Sequence, residues 1–119
     1  MGENYTVSAP LRILCGGKKL FGPGIAALLE GIRQNGSIRR TASEMSMSYN
    51  KAWGILRTCE QALGFSLLER QGDGVHGGGG KLTAQGADIL ARYQAFDREA
   101  QETLQALLDK HFGGMKDGQ

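Results

Sequence analysis

Six glycines fall within nine residues of this chain, at positions 72, 74 and 77–80. Glycine has no side chain to pack and loses the most backbone entropy on folding, so this segment can continue neither a helix nor a strand. A collagen repeat is excluded by the presence of only 2 Pro and the lack of a three-residue period. A hydrophobic fraction of 40% with a net charge of +2 argues against global disorder. The 119 residues therefore predict one folded domain interrupted by one glycine-rich loop.

The charge distribution and the cysteines limit where such a domain can act. Residues 1–30, 31–83 and 84–119 carry net charges of +1, +3 and −2, and a basic middle is suited to nucleic acid. No apolar run approaches the roughly 18 residues of a membrane span, and the first nine residues lack the apolar region of a signal peptide. The two cysteines lie 44 positions apart, outside any metal-binding spacing. We expect a cytoplasmic protein with reduced thiols, no cofactor and no metal.

Apolar side chains at three- and four-residue spacing predict four helices, with residues that can cap or stop most of their ends. They cover about residues 23–35, 38–45, 49–63 and 84–112. Ser37, Ser48 and Thr83 can cap the last three, while Gly36 and Gly64 can end the first and third. The buried faces of the first three helices are expected to be Ile25, Leu28, Leu29 and Ile32, then Ile38, Ala42 and Met45, then Ala52, Leu56, Cys59 and Leu63.

Two short hairpins complete the pattern. Residues 11–14 and 18–21 flank the turn candidate Gly16-Gly17, and residues 67–71 and 81–83 flank the glycine-rich loop. The predicted class is mostly α with a small β component (α+β). Three helices joined by tight turns, followed by a β-hairpin, are the layout of a winged helix-turn-helix. Ala42 supplies the small residue needed where the second and third helices cross.

The third helix would enter the major groove of DNA with its N-terminal end leading. Its non-apolar face carries Asn, Lys, Arg and Thr, and no acid before Glu60. Asparagine can pair with adenine, and arginine or lysine with guanine, through two-point contacts. The residues predicted to read or approach bases are Tyr49, Asn50, Lys51 and Arg57. Those predicted to hold phosphates are Ser37, Arg39, Arg40 and Ser48, with His76 and Lys81 serving the wing. Tyr49 stays ambiguous between a DNA contact and a cap on the core.

The last predicted helix is longer than a domain of this size can cover, since its 29 residues span about 43 Å at 1.5 Å per residue. Its apolar stripe has the alternating spacing of a coiled-coil seam and consists of Ile89, Tyr93, Phe96, Ala100, Thr103 and Leu107. We expect a second copy of the chain to cover it, through Ile89, Tyr93, Phe96, Ala100, Leu104 and Leu107. Residues 1–112 would then form one domain, with 84–112 as dimerisation helix and 113–119 as a flexible tail.

Two separate runs of residues carry a family resemblance. One comprises Gly36-Ser37-Ile38, Ala42, Met47-Ser48-Tyr49 and Ala52-Trp53, and the other Leu68-Glu69-Arg70, the glycines at 77–80, Leu82-Thr83 and Gly86. Both are similar to the ModE family of molybdate-responsive transcription regulators, as is the entry to the first helix at residues 20–24. The second run is also similar to LysR-type regulators. The resemblance covers about residues 11–112.

The resemblance implies a homodimer joined through the first strands and the last helix, with two recognition helices in successive major grooves of a palindromic site. There are two departures. The family usually has Gly in the helix-turn-helix turn, where this chain has Ser46, so a strained or differently shaped turn is expected. The chain also stops after the long helix and resembles only the DNA-binding half. The resemblance therefore assigns molybdate or tungstate sensing to no residue of this chain.

Other interpretations of the sequence have less support than a DNA-binding regulator. Residues 72–77 match the dinucleotide fingerprint G-x-G-x-x-G, but that motif must open a helix and here runs into three more glycines. There is no Ser/His/Asp set, no carboxylate pair in a plausible cleft and no His/Cys cluster, so we expect no enzyme. The alternatives to a DNA-binding regulator are a winged-helix dimerisation or protein-interaction module that does not read DNA, and a stand-alone regulator that responds to an oxyanion.

Overall fold

The computed structural model describes residues 5–69 and 80–118. A two-stranded sheet is followed by four helices, which confirms the predicted α+β class and the winged helix-turn-helix layout. The elements are β1 (Ile13–Cys15), β2 (Lys18–Phe21), α1 (Pro23–Asn35), α2 (Ile38–Glu44), α3 (Tyr49–Leu63), α4 (Ala84–Phe112) and a 3₁₀ helix (Gly113–Gly118). In the described ranges, every helix is too short or too polar to cross a bilayer.

Strands β1 and β2 form an antiparallel hairpin around Gly16-Gly17. Both glycines have positive φ, +60° and +82°, as a two-residue turn of the type favoured in hairpins requires. The prediction of residues 11–14 for the first strand was wrong by two residues at its start. Pairing is irregular between Ile13 and Leu14, which confines regular pairing to the end next to the turn.

Capping side chains set the starts of three helices as predicted. The hydroxyl oxygens of Ser37, Ser48 and Thr83 accept backbone N–H groups of the residues three positions on, at 2.9, 3.0 and 2.9 Å. These bonds satisfy donors that the first turn of a helix leaves unpaired. Gly36 and Gly64 end α1 and α3 in the left-handed conformation, at φ +73° and +84°.

The turn between α2 and α3 is built on Ser46, at φ +59°, among the described residues the one non-glycine with positive φ. The N–H of Ser46 donates to Ser43 O at 3.0 Å, and the N–H of Met47 donates to Ala42 O at 2.9 Å. These two bonds define a Schellman motif, whose left-handed position usually holds glycine. A serine therefore holds the left-handed position of this turn, which agrees with the expectation of a strained turn.

Helix α1 lies at the centre of the core. It contacts α2, α3 and α4, and its side chains of Leu28, Leu29 and Ile32 are fully buried. The approach of α2 is close because Gly31 has no side chain, and a Cβ there would lie 2.5 Å from Cγ2 of Thr41. Ala42, predicted at the helix crossing, is buried as well.

The base of the wing follows α3, but it is a single antiparallel bridge between Leu68 and Leu82 rather than two strands. The prediction of strands over 67–71 and 81–83 was therefore too long within the described residues. Two further bonds hold the base, from Glu69 N–H to Lys81 O at 2.7 Å and from Thr83 N–H to Leu67 O at 2.9 Å.

Only the first third of α4 belongs to the core, through Gly86, Leu90 and Tyr93. Gly86 sits directly against the wing base, where a Cβ would fall on the carbonyl oxygen of Leu67. Beyond Tyr93 the helix projects from the core, and the molecule measures 63 × 31 × 22 Å. The projecting part has no buried residue among those described.

An extended segment of residues 5–12, which we call the arm, runs alongside this projecting part. Side chains of α4 hold its backbone at four points, an arrangement that was not predicted from the sequence. The bonds are Gln105 Nε2 to Tyr5 O (3.0 Å), Val7 N–H to Gln105 Oε1 (3.2 Å), Gln101 Nε2 to Ala9 O (2.7 Å) and Tyr93 OH to Leu11 O (2.8 Å). The signal in the sequence was a pair of glutamines four positions apart on one face of α4.

Glu30 links α1 to α4 through its carboxylate. Arg33 and Gln34 donate to it from α1, and Gln94 Nε2 donates from α4 at 3.0 Å. The hydrogen bond from Arg33, followed by that from Gln94, lowers the pKa of the Glu30 carboxyl to about 2.

Candidate nucleic-acid interface

The outward face of α3 is polar and basic. At about 100° per residue, the buried side chains of Ala52, Leu56 and Cys59 define the inward face. The opposite side exposes Asn50 and Arg57, with Lys51 and Thr58 to one side and Gly54 near the centre. The absence of a side chain at Gly54 leaves open space between the two polar turns, since nothing lies within 4 Å of a Cβ placed there.

The single carboxylate of α3 does not face outward. Glu60 is half-buried, and its Oε2 accepts the backbone N–H of Leu67 at 2.7 Å. The acid is therefore directed toward the wing base and away from the face that carries Asn50 and Arg57. The one negative group of α3 therefore does not lie where it could repel a polyanion.

One flank of α3 carries a continuous row of aromatic and guanidinium groups. The rings of Tyr49 and Trp53 meet edge to face, with centroids 6.4 Å apart. The guanidinium of Arg39, on α2, lies 4.2 Å from the Tyr49 ring centroid, and that of Arg57 lies 5.4 Å from the Trp53 centroid. Cation–π contacts of this kind fix two arginines that the sequence analysis assigned to DNA.

This row bears on the question that the sequence left open for Tyr49. The ring is half-buried and packs against the core while also carrying Arg39 on its face. Trp53 likewise packs against the core. The row was not predicted, although Tyr49, Trp53 and Arg57 follow one another at four-residue spacing in the sequence.

The remaining predicted phosphate ligands lie near the N-terminal ends of α2 and α3. Arg40 is exposed and pairs with Glu44, with Nε to Oε2 at 3.1 Å. The hydroxyl oxygens of Ser37 and Ser48 are used as caps, so each retains its hydrogen for donation to an outside acceptor.

Of the predicted wing residues, only Lys81 falls in the described part of the chain, where it is exposed at the wing base. His76 lies outside the described residues. The base is also joined to the start of the helix-turn-helix, because Gly80 N–H donates to Gly36 O at 2.9 Å. A Cβ on Gly80 would come within 2.9 Å of Ile32 Cγ2, so this close approach needs a glycine.

Cys59 belongs to the core beneath this face, as the sequence indicated. It is 6% exposed, and its Sγ donates to Leu20 O at 3.3 Å. Burial raises the pKa of the Cys59 thiol to about 11, so the group stays protonated. Cys15 is exposed, and both thiols are free.

The predicted interface residues of α4 fall into two groups. Tyr93 is 5% exposed inside the protomer, with its ring against Phe21, and Ile89 packs against the same core. Neither offers much surface to a partner. Phe96 and Leu107 are 49% and 46% exposed on the projecting part of the helix. Ala100 and Leu104 are half-buried nearby.

The described residues contain no group of three His, Cys, Asp or Glu that could hold a metal. Chemically, this surface offers a set of cations and hydrogen-bond donors on and around α3. Such a set matches phosphates and base edges.

Comparison with known proteins places this arrangement in a family. The model for "Bacterial regulatory helix-turn-helix protein, lysR family" matches residues 26–87, which is more than half of the chain. That range runs from α1 through the helix-turn-helix and the wing to the start of α4.

Relatives of known name match the same region. Molybdenum transport protein ModE of Azotobacter vinelandii is 37% identical over 83 residues, covering 70% of this chain and 31% of the relative. Transcriptional regulator ModE of Haemophilus influenzae is 33% identical over 88 residues, covering 74% and 34%. DNA-binding transcriptional dual regulator ModE of Escherichia coli K12 is 32% identical over 93 residues, covering 77% and 36%.

The chain thus spans about a third of the length of these curated relatives. Residues 26–87, which the family model matches, contain both runs of residues on which the ModE resemblance rests. With a family match over more than half of its length, the chain belongs to the lysR family of bacterial regulatory helix-turn-helix proteins.

Proposed function

We propose that this chain is a sequence-specific, DNA-binding transcription regulator of ModE type. The observation that carries the proposal is the outward face of α3, where Asn50 and Arg57 are exposed and the single carboxylate of the helix is turned away. Tyr49, Asn50, Lys51 and Arg57 are assigned to bases, Arg39, Arg40, Ser37 and Ser48 to phosphates, and His76 and Lys81 to the wing. Such a regulator acts in the cytoplasm, where bacterial DNA lies.

The proposal includes a homodimer formed through α4. Phe96 and Leu107 are large apolar side chains, each nearly half exposed on the part of the helix that leaves the core. A second copy that covers them would remove this apolar surface from water. In a two-fold dimer the two α3 helices would address half-sites about one DNA turn, or roughly 34 Å, apart, so the operator is palindromic. The wings would contact the neighbouring backbone.

The functions proposed for this chain are DNA binding and assembly. The names of the relatives connect them with molybdenum transport, but the region shared with this chain is about a third of those proteins. We therefore assign binding of molybdate or tungstate to no residue of this chain.

Selection of bound duplexes from a random-sequence pool tests sequence-specific binding. We expect a palindromic consensus with half-sites one helical turn, or a multiple of it, apart. An enriched pool without a consensus, or no binding at low salt, would contradict the proposal and favour a protein-interaction module.

Two substitutions test the division between base and phosphate contacts. Asn50→Ala should reduce the preference for the selected duplex over a scrambled one and leave the salt dependence unchanged. Arg40→Ala should weaken binding to both duplexes and lower the slope of log K against log salt by about 0.9, which is one phosphate. Arg92→Ala is the matched control, since Arg92 is also exposed and pairs with Asp88 four residues away, but lies on α4.

The dimer is tested by sedimentation equilibrium. Phe96→Asp should shift the chain from dimer to monomer, because a carboxylate would be buried without a partner in the interface. Arg98→Asp, an exposed position two residues further along α4, is the control for the added acid. Equal masses for Phe96→Asp and the unmodified chain would exclude this face as the interface.

A further inference from the structure

The β1–β2 hairpin lies beside α3 and has no role in the function proposed so far. Strand β2 and α3 enclose an open cleft of about 450 Å³, lined on the strand side by Lys19 and Leu20. On the helix side it is lined by Lys51, Ile55 and Thr58 among others. Among residues 5–69 and 80–118, no carboxylate lines this cleft. Two ammonium groups therefore border it without an acid to neutralise them there.

The cleft lies on the side of α3 opposite to the aromatic row. At about 100° per residue, Tyr49 and Trp53 project to one side of the outward face, whereas Lys51 and Ile55 project to the other. Arg39 stacks on the first side, and Lys19 lines the cleft on the second. Each side of α3 is therefore bordered by a basic residue from another element, Arg39 of α2 on one side and Lys19 of β2 on the other.

The pleat of β2 separates Lys19 from its neighbour. Lys18 and Lys19 lie in the regularly paired part of β2, opposite Cys15 and Leu14, so their side chains point to opposite faces of the hairpin. The Lys19 stem crosses the entry to α1, with its Cε 3.5 Å from the position that a Cβ on Gly22 would take. The side chain is nevertheless exposed, so its ammonium group reaches solvent.

A helix in the major groove has a phosphate backbone on each side, since the groove is about 12 Å wide. We propose that Lys19 binds a phosphate of the strand bordering α3 on the side away from Arg39, which makes the β1–β2 hairpin a second backbone-binding element. The inference rests on the proposed function, because it requires α3 to enter the groove.

The test measures the dissociation constant for the selected duplex from about 50 to 300 mM salt, for the full chain and three variants. Lys19→Gln should lower the slope of log K against log salt by about 0.9 and weaken binding about 8-fold at 0.1 M salt, as expected for one lost phosphate contact. Lys19→Arg should keep the original slope. Lys18→Gln is the matched control, with the same charge change one residue away on the other face of the hairpin.

The outcomes separate the two proposals. If the unmodified chain binds and Lys19→Gln leaves slope and affinity unchanged, the hairpin contact is refuted and the proposed function stands. An equal loss in Lys18→Gln would also refute the assignment to the α3 side of the hairpin. Failure of the unmodified chain to bind DNA at low salt would overturn the proposed function and this inference with it. Circular dichroism of each variant confirms that the fold is intact.

Discussion

Replacing Ser46 by glycine should stabilise the protein, because this residue holds a left-handed conformation at φ +59° that a Cβ atom disfavours. The conformation is required by the Schellman bonds that end α2, so the chain cannot relax out of it without losing them. The side chain is exposed, and its removal takes no contact from the core.

The magnitude follows from two opposing contributions. A non-glycine residue in the left-handed region costs about 1–2 kcal/mol. Relief of this strain by glycine is partly offset, because glycine loses more backbone entropy on folding. This entropy loss lowers the free energy of unfolding by about 0.5–1 kcal/mol. The free energy of unfolding should therefore rise by about 0.5–1 kcal/mol, and the melting temperature of a domain of this size by about 2–4 °C.

Thermal and urea unfolding followed by circular dichroism measures this change, at one protein concentration because a dimer's stability depends on it. Ser46→Ala is the control that retains the Cβ, and it should show no gain. The reverse experiment is Gly64→Ala, at φ +84° with no atom within 4 Å of the new Cβ, which should cost about 1 kcal/mol. A Ser46→Gly variant no more stable than Ser46→Ala would refute the argument that the turn is strained.

Three further predictions concern other parts of the fold. Gly86→Ala should destabilise the domain by about 1–3 kcal/mol in urea unfolding, because the new Cβ meets backbone; a gain of about 1 kcal/mol, usual for this change in a helix, would contradict the packing. Glu30→Gln should lower stability at pH 7 by about 0.5–1 kcal/mol, given the exposure of the pair. Since the folded pKa of Glu30, about 2, lies below its ordinary value of 4.5, this difference should be complete above pH 4.5 and vanish as the pH falls to 2; a difference independent of pH would refute it. Thiol titration should modify Cys15 rapidly and Cys59 only on unfolding, and equal rates would exclude the buried position of Cys59.

The helices could be predicted from the sequence because their ends are fixed by local chemistry. A hydroxyl at Ser37, Ser48 or Thr83 bonds a backbone N–H only three residues away, so the start of each helix is contained in four consecutive residues. The strands could not be placed as well, because pairing between β1 and β2, or between Leu68 and Leu82, depends on partners and on irregularities that no short window contains.

In the candidate site, too, some features follow from the local sequence and others depend on the tertiary fold. The outward residues of α3 follow from helical periodicity alone. The orientation of Glu60 toward Leu67, the stacking of Arg39 on Tyr49 and the position of Lys19 beside α3 each require the tertiary fold.

The arm has a consequence for the order in which the molecule assembles. Its bonds to Gln101 and Gln105 join residues 92 to 100 positions apart, whereas the caps of α2, α3 and α4 join residues three apart. Contacts with such long sequence separation incur the greatest loop-closure entropy before they contribute any stability. The helix-turn-helix can therefore form while the arm is still free, and docking of the arm follows late. Loss of the arm should accordingly speed unfolding far more than it slows folding, so the arm would set the lifetime of the folded state and have little effect on how fast it forms.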